Sequence, residues 1–294
     1  MNLLLGILLA PLLSSLILRT KALVAGRQGP PWLQPYFDIA KLLQKGAVYS
    51  RTATGLFVAG PIGALSATLL AAALIPLGGC QASVSFEGDL FLFAGLLAAA
   101  RFLSILAALD VGLSFEGMGA SREALYGALA EPALFLALAA GARGSGSLSL
   151  SGIFASPLDG IAAPALALLA GALLVVALAE CARIPFDDPA THLELTMVHE
   201  VMVLDHGGPD LAFIEYASSL KFWILGTLLG GFAMPIRIGG SLANALLGLG
   251  AVAALGVAIG AVESTMARLK LQRVPQLLVG AGVLAAVALV LGMR

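Results

Sequence analysis

The sequence predicts an all-α, polytopic integral membrane protein, and three observations predict it. Of 294 residues, 60% are hydrophobic and only 11% are charged, where a soluble domain carries roughly 25% charged residues. Apolar runs long enough to cross a bilayer recur from one end of the chain to the other, and basic residues collect in alternate connections between them. A hydrocarbon core about 30 Å thick needs about 20 apolar residues per helix, so the chain reads as one membrane domain, residues 1–294. The charge is near zero, with 16 basic against 17 acidic side chains, which offers no basic face for nucleic acid and no acidic tail.

The runs fall near residues 2–18, 55–78, 90–109, 124–142, 161–179, 216–234, 242–262 and 274–292, about eight spans. The first, MNLLLGILLAPLLSSLILRTK, lacks a basic leader and a small-residue cleavage pattern, so it is read as a retained span. Gly60-Pro61 and Glu131-Pro132 interrupt spans, as is ordinary where neighbouring helices satisfy the freed backbone groups. Connections after spans one, three, five and seven hold eleven of the basic residues: Arg19, Lys21, Arg27, Lys41, Lys45, Arg51, Arg122, Arg183, Arg268, Lys270 and Arg273. By the positive-inside rule these connections face the cytoplasm and both termini face away from it.

The first connection contains WLQPYFDIAKLLQKG, residues 32–46, in which Gln34, Asp38, Lys41 and Lys45 recur at i, i+4, i+7 and i+11. Trp32, Leu33, Tyr36, Ile39, Ala40 and Leu43 fill the other faces, which predicts an amphipathic helix lying in the interface, either a plain anchor or a functional surface. Cys80 and Cys181 stand far apart without a CxxC spacing and are read as packing residues, so the chain supplies no iron-sulfur or zinc site of its own. No internal repeat of the kind common in secondary transporters is visible, which weighs against a stand-alone ion transporter.

Charge is concentrated in one place. The connection between spans five and six, residues 180–215, holds eight of the 17 acids, namely Glu180, Asp187, Asp188, Glu194, Glu200, Asp205, Asp210 and Glu215, together with Arg183, His192, His199 and His206. Asp188-Pro189 reads as a helix start, with the helix running to about Leu204 before Gly207-Gly208-Pro209. Asp210 reads as the cap of the next helix and Asp205 as a solvated loop charge. His192, Thr196 and His199 share a stripe with Glu200 beside it, either a hydrogen-bonded seam or a hydrated proton path. HExxH zinc binding would require histidine at 203, where Val203 stands, so no metal site is expected. Glu180 and Arg183 have the i, i+3 spacing of an ion pair.

Arg101, Glu131 and Lys221 fall inside expected spans, where a charge costs at least roughly 2.5–3.5 kcal/mol and defaults to a functional role. Glu131 and Glu180 are the candidate partners of Arg101. From residues alone the chain is a proton- or ion-handling membrane subunit, with no catalytic group of its own.

The block AECARIPFDDPATHLEL, followed by HEVMV and FIEYASSLKFW, resembles the signature of the membrane subunit family shared by respiratory complex I (NADH dehydrogenase subunit 1) and energy-converting membrane-bound NiFe hydrogenases. QPYFDIAKLLQK and RLKLQRVPQLL resemble two further blocks of the family. GMGASREALYGALAEPALF, with Arg101 and Asp110 upstream, looks like the hydrogenase branch of the formate hydrogenlyase type.

The resemblance implies a non-catalytic subunit in a prokaryotic cytoplasmic (inner) membrane. It would dock a hydrophilic redox arm and link turnover to proton or sodium translocation. The NiFe centre and iron-sulfur clusters are expected in the large and small subunits of the arm, and antiporter-like membrane subunits are the other expected partners. Carried over as proton-coupling candidates are Glu180, Arg183, Asp187, Glu194 and Glu200, with Glu123 and Glu131 from the fourth-span block. Gln34, Asp38, Lys41, Arg122, His192 and His199 are the arm-docking candidates. The alternative within the family is the quinone-chamber subunit of a complex I-type oxidoreductase.

Overall fold

The computed structural model describes residues 2–155, 162–187, 197–235 and 240–292. Seven helices are long and apolar enough to cross a membrane. They are α1 (Asn2–Val24), α3 (Gly55–Leu74), α4 (Asp89–Asp110), α5 (Ser114–Ser145), α7 (Ala163–Glu180), α10 (Ser241–Thr265) and α11 (Val274–Leu291). The short α2 (Gln34–Leu43), α6 (Leu150–Ala155) and α8 (His199–Met202) lie between them. The chain is a multi-pass membrane protein.

The sixth expected span falls in α9 (Gly208–Ala233), a 26-residue helix that is less apolar than those seven and carries Asp210, Glu215 and Lys221. Its position explains the difference. α9 packs against α1, α2, α3, α7 and α10, and Leu220, Phe222, Trp223, Ile224, Leu225, Leu228, Leu229 and Phe232 are all buried. A helix enclosed by other helices meets side chains where an outer helix would meet lipid, so it can carry a charge whose partner its neighbours supply.

Hydrogen bonds at the helix ends show which connections share a side. Thr54 at the start of α3 is held by Asp110 at the end of α4, its N–H donating to Oδ2 (2.6 Å) and its hydroxyl to Oδ1 (2.7 Å). Lys21 at the end of α1 pairs with Glu263 at the end of α10 (3.0 Å). At the other end, Asn2 donates to the Gln81 carbonyl (2.8 Å), and Asp89 accepts from the Leu150 N–H (2.6 Å) and the Ser149 hydroxyl (2.8 Å). Gly78, at φ +56°, abuts the Asn244 carbonyl of α10 so closely that a side chain has no room. The odd-numbered connections, with their basic residues, thus gather at one end.

α2 falls inside the expected 32–46 helix and lies against α1 and α9. The Ser15 hydroxyl donates to the Trp32 carbonyl (2.8 Å), and the Arg19 guanidinium sits 4.4 Å over the Trp32 ring, fastening the entry of this helix to α1.

The helix expected to run to Leu204 is overturned within the described residues, where only His199–Met202 is helical. Asp187 is the cause: its Oδ2 accepts the N–H groups of Val198 (3.0 Å) and His199 (3.1 Å), so a new helix starts at His199. Asp188, Pro189, His192, Glu194 and Thr196, with the expected helix start and most of the histidine stripe, lie outside the described residues. Asp210 is likewise not a cap, because Gly207 occupies that place and Asp210 is buried in the first turn of α9. Asp205 is exposed, as expected of a loop charge.

His206 joins the α8–α9 connection to α3 by stacking on Phe57, with centroids 3.9 Å apart and planes 7° from parallel. Its Nδ1 is buried without a hydrogen-bond partner among the described residues, and burial lowers its pKa from the usual 6.5 against the opposing pull of Asp210 and Asp205. Because the folded value lies below the unfolded one, stability is complete above about pH 6.5 and falls as pH drops through the folded value. The melting temperature of detergent-solubilised protein should therefore fall between pH 7 and pH 5, and His206→Phe, which keeps the stack, should flatten that decline.

Candidate functional site

Arg101 stands at the middle of α4 and is buried. On α5, Glu123, Gly127 and Glu131 are four residues apart, which puts them on one face of the helix. That face meets the guanidinium. Glu131 Oε1 is bonded to Nη1, and Glu123 Oε1 lies 3.4 Å from Nε. Gly127 provides the space between them, since a Cβ there would lie 2.8 Å from the arginine Cδ. Glu180, the last residue of α7, bonds Nη2 through Oε1 and takes Lys221 Nζ of α9 on Oε2 at 2.7 Å.

Four helices therefore converge on one charged centre containing three carboxylates and two cations. Both carboxylates named from the sequence as partners of Arg101 contact it. With one carboxylate in excess, the centre can hold a proton without leaving an uncompensated positive charge, so proton binding and release is the chemistry it can perform.

The expected pair between Glu180 and Arg183 is not formed. α7 ends at Glu180, and Ala182 takes a left-handed φ of +48°, so the chain turns and the spacing rule for a continuous helix no longer holds. Arg183 instead lies 3.7 Å from Glu263 Oε1 and 5.4 Å over the Phe222 ring. Asp187 accepts Arg268 on Oδ1 (3.1 Å) while its other oxygen starts α8. Arg122 donates to the Met197 carbonyl (2.8 Å), which fixes the same segment against α5.

Three cavities adjoin these groups. An outer cavity of about 340 Å³ is bounded by α1, α2, α9 and the 181–203 segment, and Gln34, Asp38, Arg183, Asp187, His199, Glu200 and Glu215 face it. Gln34 donates to Asp38 there (2.8 Å). An inner cavity of about 50 Å³ touches Arg101, Glu123, Glu180 and Lys221, space for one or two waters. Cys181, Ala182, His199, Ile214 and Ser218 line both.

A lateral cavity of about 290 Å³ opens between Phe91, Phe135 and Leu134, with Arg101, Glu131 and Glu180 at its base. The Glu131 side chain is 44% exposed through it. Lys41 is exposed on α2 and outside these cavities. Glu194 and His192 lie outside the described residues. Among the described residues no group of three or more His, Cys, Asp or Glu side chains is arranged to hold a metal ion.

Sequence reasoning missed Glu116, Glu263 and the packing of His206. Glu116, in the first turn of α5, is fully buried and accepts the Asp205 N–H at 3.3 Å. Glu263 is buried at the end of α10. Its isolation as the one acid in a long apolar run was the available signal, since a lone charge there needs a partner.

The fold and centre define a class: a polytopic helical membrane protein built around buried ion pairs. Residues 1–293 match the NADH dehydrogenase family, and the chain belongs to it. It is 30% identical over 278 residues to formate hydrogenlyase subunit 4 of Escherichia coli (strain K12), covering 91% of this chain and 89% of that protein. It is 31% identical over 230 residues to a membrane component of the NADH-quinone oxidoreductase of Verminephrobacter eiseniae (strain EF01-2), covering 71% of this chain and 64% of that protein. Its fold is similar to that of a chain in the membrane-bound sulfane sulfur reductase, an archaeal respiratory membrane complex, with a TM-score of 0.83, 24% identity, and coverage of 99% of this chain and 96% of that one.

Breaking the centre by Arg101→Gln removes the cation shared by three carboxylates, and leaving buried charges uncompensated costs about 3–5 kcal/mol. A thermal melt of the purified protein should show a large loss of stability for this variant and a smaller one for Arg101→Lys.

Proposed function

We propose that this chain is the membrane subunit of a hydrogenase-like oxidoreductase complex, docking a hydrophilic redox arm and linking its turnover to movement of protons or sodium ions. The observation that carries the reading is the file of ionisable groups and cavities through the chain. It begins at Asp38, Glu200 and Glu215 in the outer cavity, passes His199, reaches Glu180, Lys221 and Arg101, and leaves at Glu131 through the lateral opening. The similarity to formate hydrogenlyase subunit 4 over most of both chains supports the hydrogenase branch.

In this reading the basic end faces the cytoplasm of a prokaryotic inner membrane, with both termini opposite. The arm sits on α2, Arg122 and the α8 segment, and its large and small subunits carry the NiFe centre and iron-sulfur clusters. Movement of the 181–203 segment under the arm alters the surroundings of Glu180, and antiporter-like membrane subunits respond at the lateral opening. Glu194 and His192 belong to that segment by sequence.

A second reading, the quinone-chamber subunit of a complex I-type oxidoreductase, is favoured by the outer cavity. Its volume suits a quinone ring, Arg183 and His199 offer donors to ring carbonyls, and Leu18, Val203, Leu211 and Ile214 form an apolar wall. Quinone-dependent turnover blocked by cavity-filling inhibitors would select this reading. Co-purification with a nickel-containing large subunit bearing two CxxC pairs would select the first.

Glu180→Gln, measured in complex that retains its arm, should abolish ion translocation or stop turnover, because it removes the carboxylate shared by Arg101 and Lys221. Wild-type coupling in this variant would overturn the proposed role of the centre.

A further inference from the structure

The loop that leaves the charged centre is fastened to a single short stretch at the end of α10. Arg183 approaches Glu263 (3.7 Å), the Pro185 carbonyl accepts the Leu269 N–H (3.0 Å), and Asp187 accepts Arg268 (3.1 Å). Alternate loop residues 183, 185 and 187 are thus held by three partners within residues 263–269. Each contact alone is ordinary for a membrane protein's polar end. Glu263 makes the set unusual, because its side chain is fully buried and it also holds Lys21 of α1 at 3.0 Å. A buried carboxylate is costly unless its partners are fixed.

The charge count gives the arrangement a consequence. Arg183 is three residues beyond Glu180, and only its attachment to Glu263 keeps a third cation from the centre. With Arg183 on Glu263, the centre has three carboxylates, Glu123, Glu131 and Glu180, against Arg101 and Lys221. With Arg183 released to Glu180, three cations would balance three carboxylates, and the site for an exchangeable proton would be lost. Asp187 carries the other half of the device, since the oxygen not held by Arg268 accepts the N–H groups that begin α8, the segment bearing His199 and Glu200.

We propose that residues 263–269 form a clasp that sets the position of the 181–187 loop, with Glu263 a positioning residue that holds Arg183 away from Glu180. Arg268, through Asp187, holds the start of α8. The clasp is a property of this chain's own contacts; its effect on coupling rests on the function proposed above.

Two measurements on the intact membrane complex test it. Hydrogen exchange should show the Val198 and His199 amides opening at least about tenfold faster in Arg268→Gln than in wild type, with Arg268→Lys restoring most of the protection; unchanged exchange would overturn the clasp. Glu263→Gln should lower the number of ions moved per turnover, Glu263→Asp should restore it, and the double variant E263Q/R183Q should lose no more than R183Q by itself. Additive losses would overturn the positioning role. Should Glu263→Gln not assemble, the charge swap R183E/E263R should restore assembly, and its failure to do so counts against the pairing. A wild-type complex that moves no ions would defeat the functional reading alone, because the exchange measurement judges the clasp without it.

Discussion

A guanidinium at the middle of a membrane-spanning helix has to be neutralised where it stands, and the rest of this structure is arranged around that demand. Arg101 cannot reach water at either end of α4, so its counter-charges come from α5 and α7. Glu180 in turn needs more than a share of Arg101, and Lys221 of α9 supplies it. The ion pairs fix the relative height of four helices, which apolar packing in a lipid-like interior does only weakly, since a leucine is as content against a lipid tail as against another leucine. Gly127 shows the accommodation in reverse, giving up a side chain so that the guanidinium can lie against α5.

α9 is the helix that this demand shapes most. It carries Lys221 toward the centre and is otherwise enclosed, which is why it is less apolar than the outer helices although it is the most surrounded of them. Its first turn also forms part of the outer cavity through Leu211, Ile214 and Glu215. One element therefore connects the charged centre to the end of the molecule where the basic connections gather. The cavities on either side of the centre make it a place that water and protons can approach from two directions.

Much of this was legible in the sequence, for reasons that differ by element. Seven spans were readable because length and hydropathy are local properties, and α2 because its polar residues repeat with the period of a helix. Arg101, Glu131, Glu180 and Lys221 stood out because charges within apolar runs are costly and so demand partners. The Glu180–Arg183 pair was misread because spacing predicts a contact only while the helix continues, and the backbone turns at Ala182. The helix expected up to Leu204 was misread because Asp187, well before it in the chain, captures the amides of Val198 and His199. Glu263 and Glu116 passed unnoticed because their meaning lies in residues that approach only in the folded chain.

The sequence by itself determined that this is an all-α membrane protein, where its spans run, and which few residues carry charge in places that must matter. These follow from composition and periodicity, which need no knowledge of neighbours. Only the tertiary structure decided who pairs with whom: that Glu180 belongs to Arg101 and Lys221, that Arg183 belongs to Glu263, and that one carboxylate is left in excess. Electrostatic partners inside a membrane are chosen by distance across helices in a medium that screens poorly, and that distance is set by packing of the whole bundle.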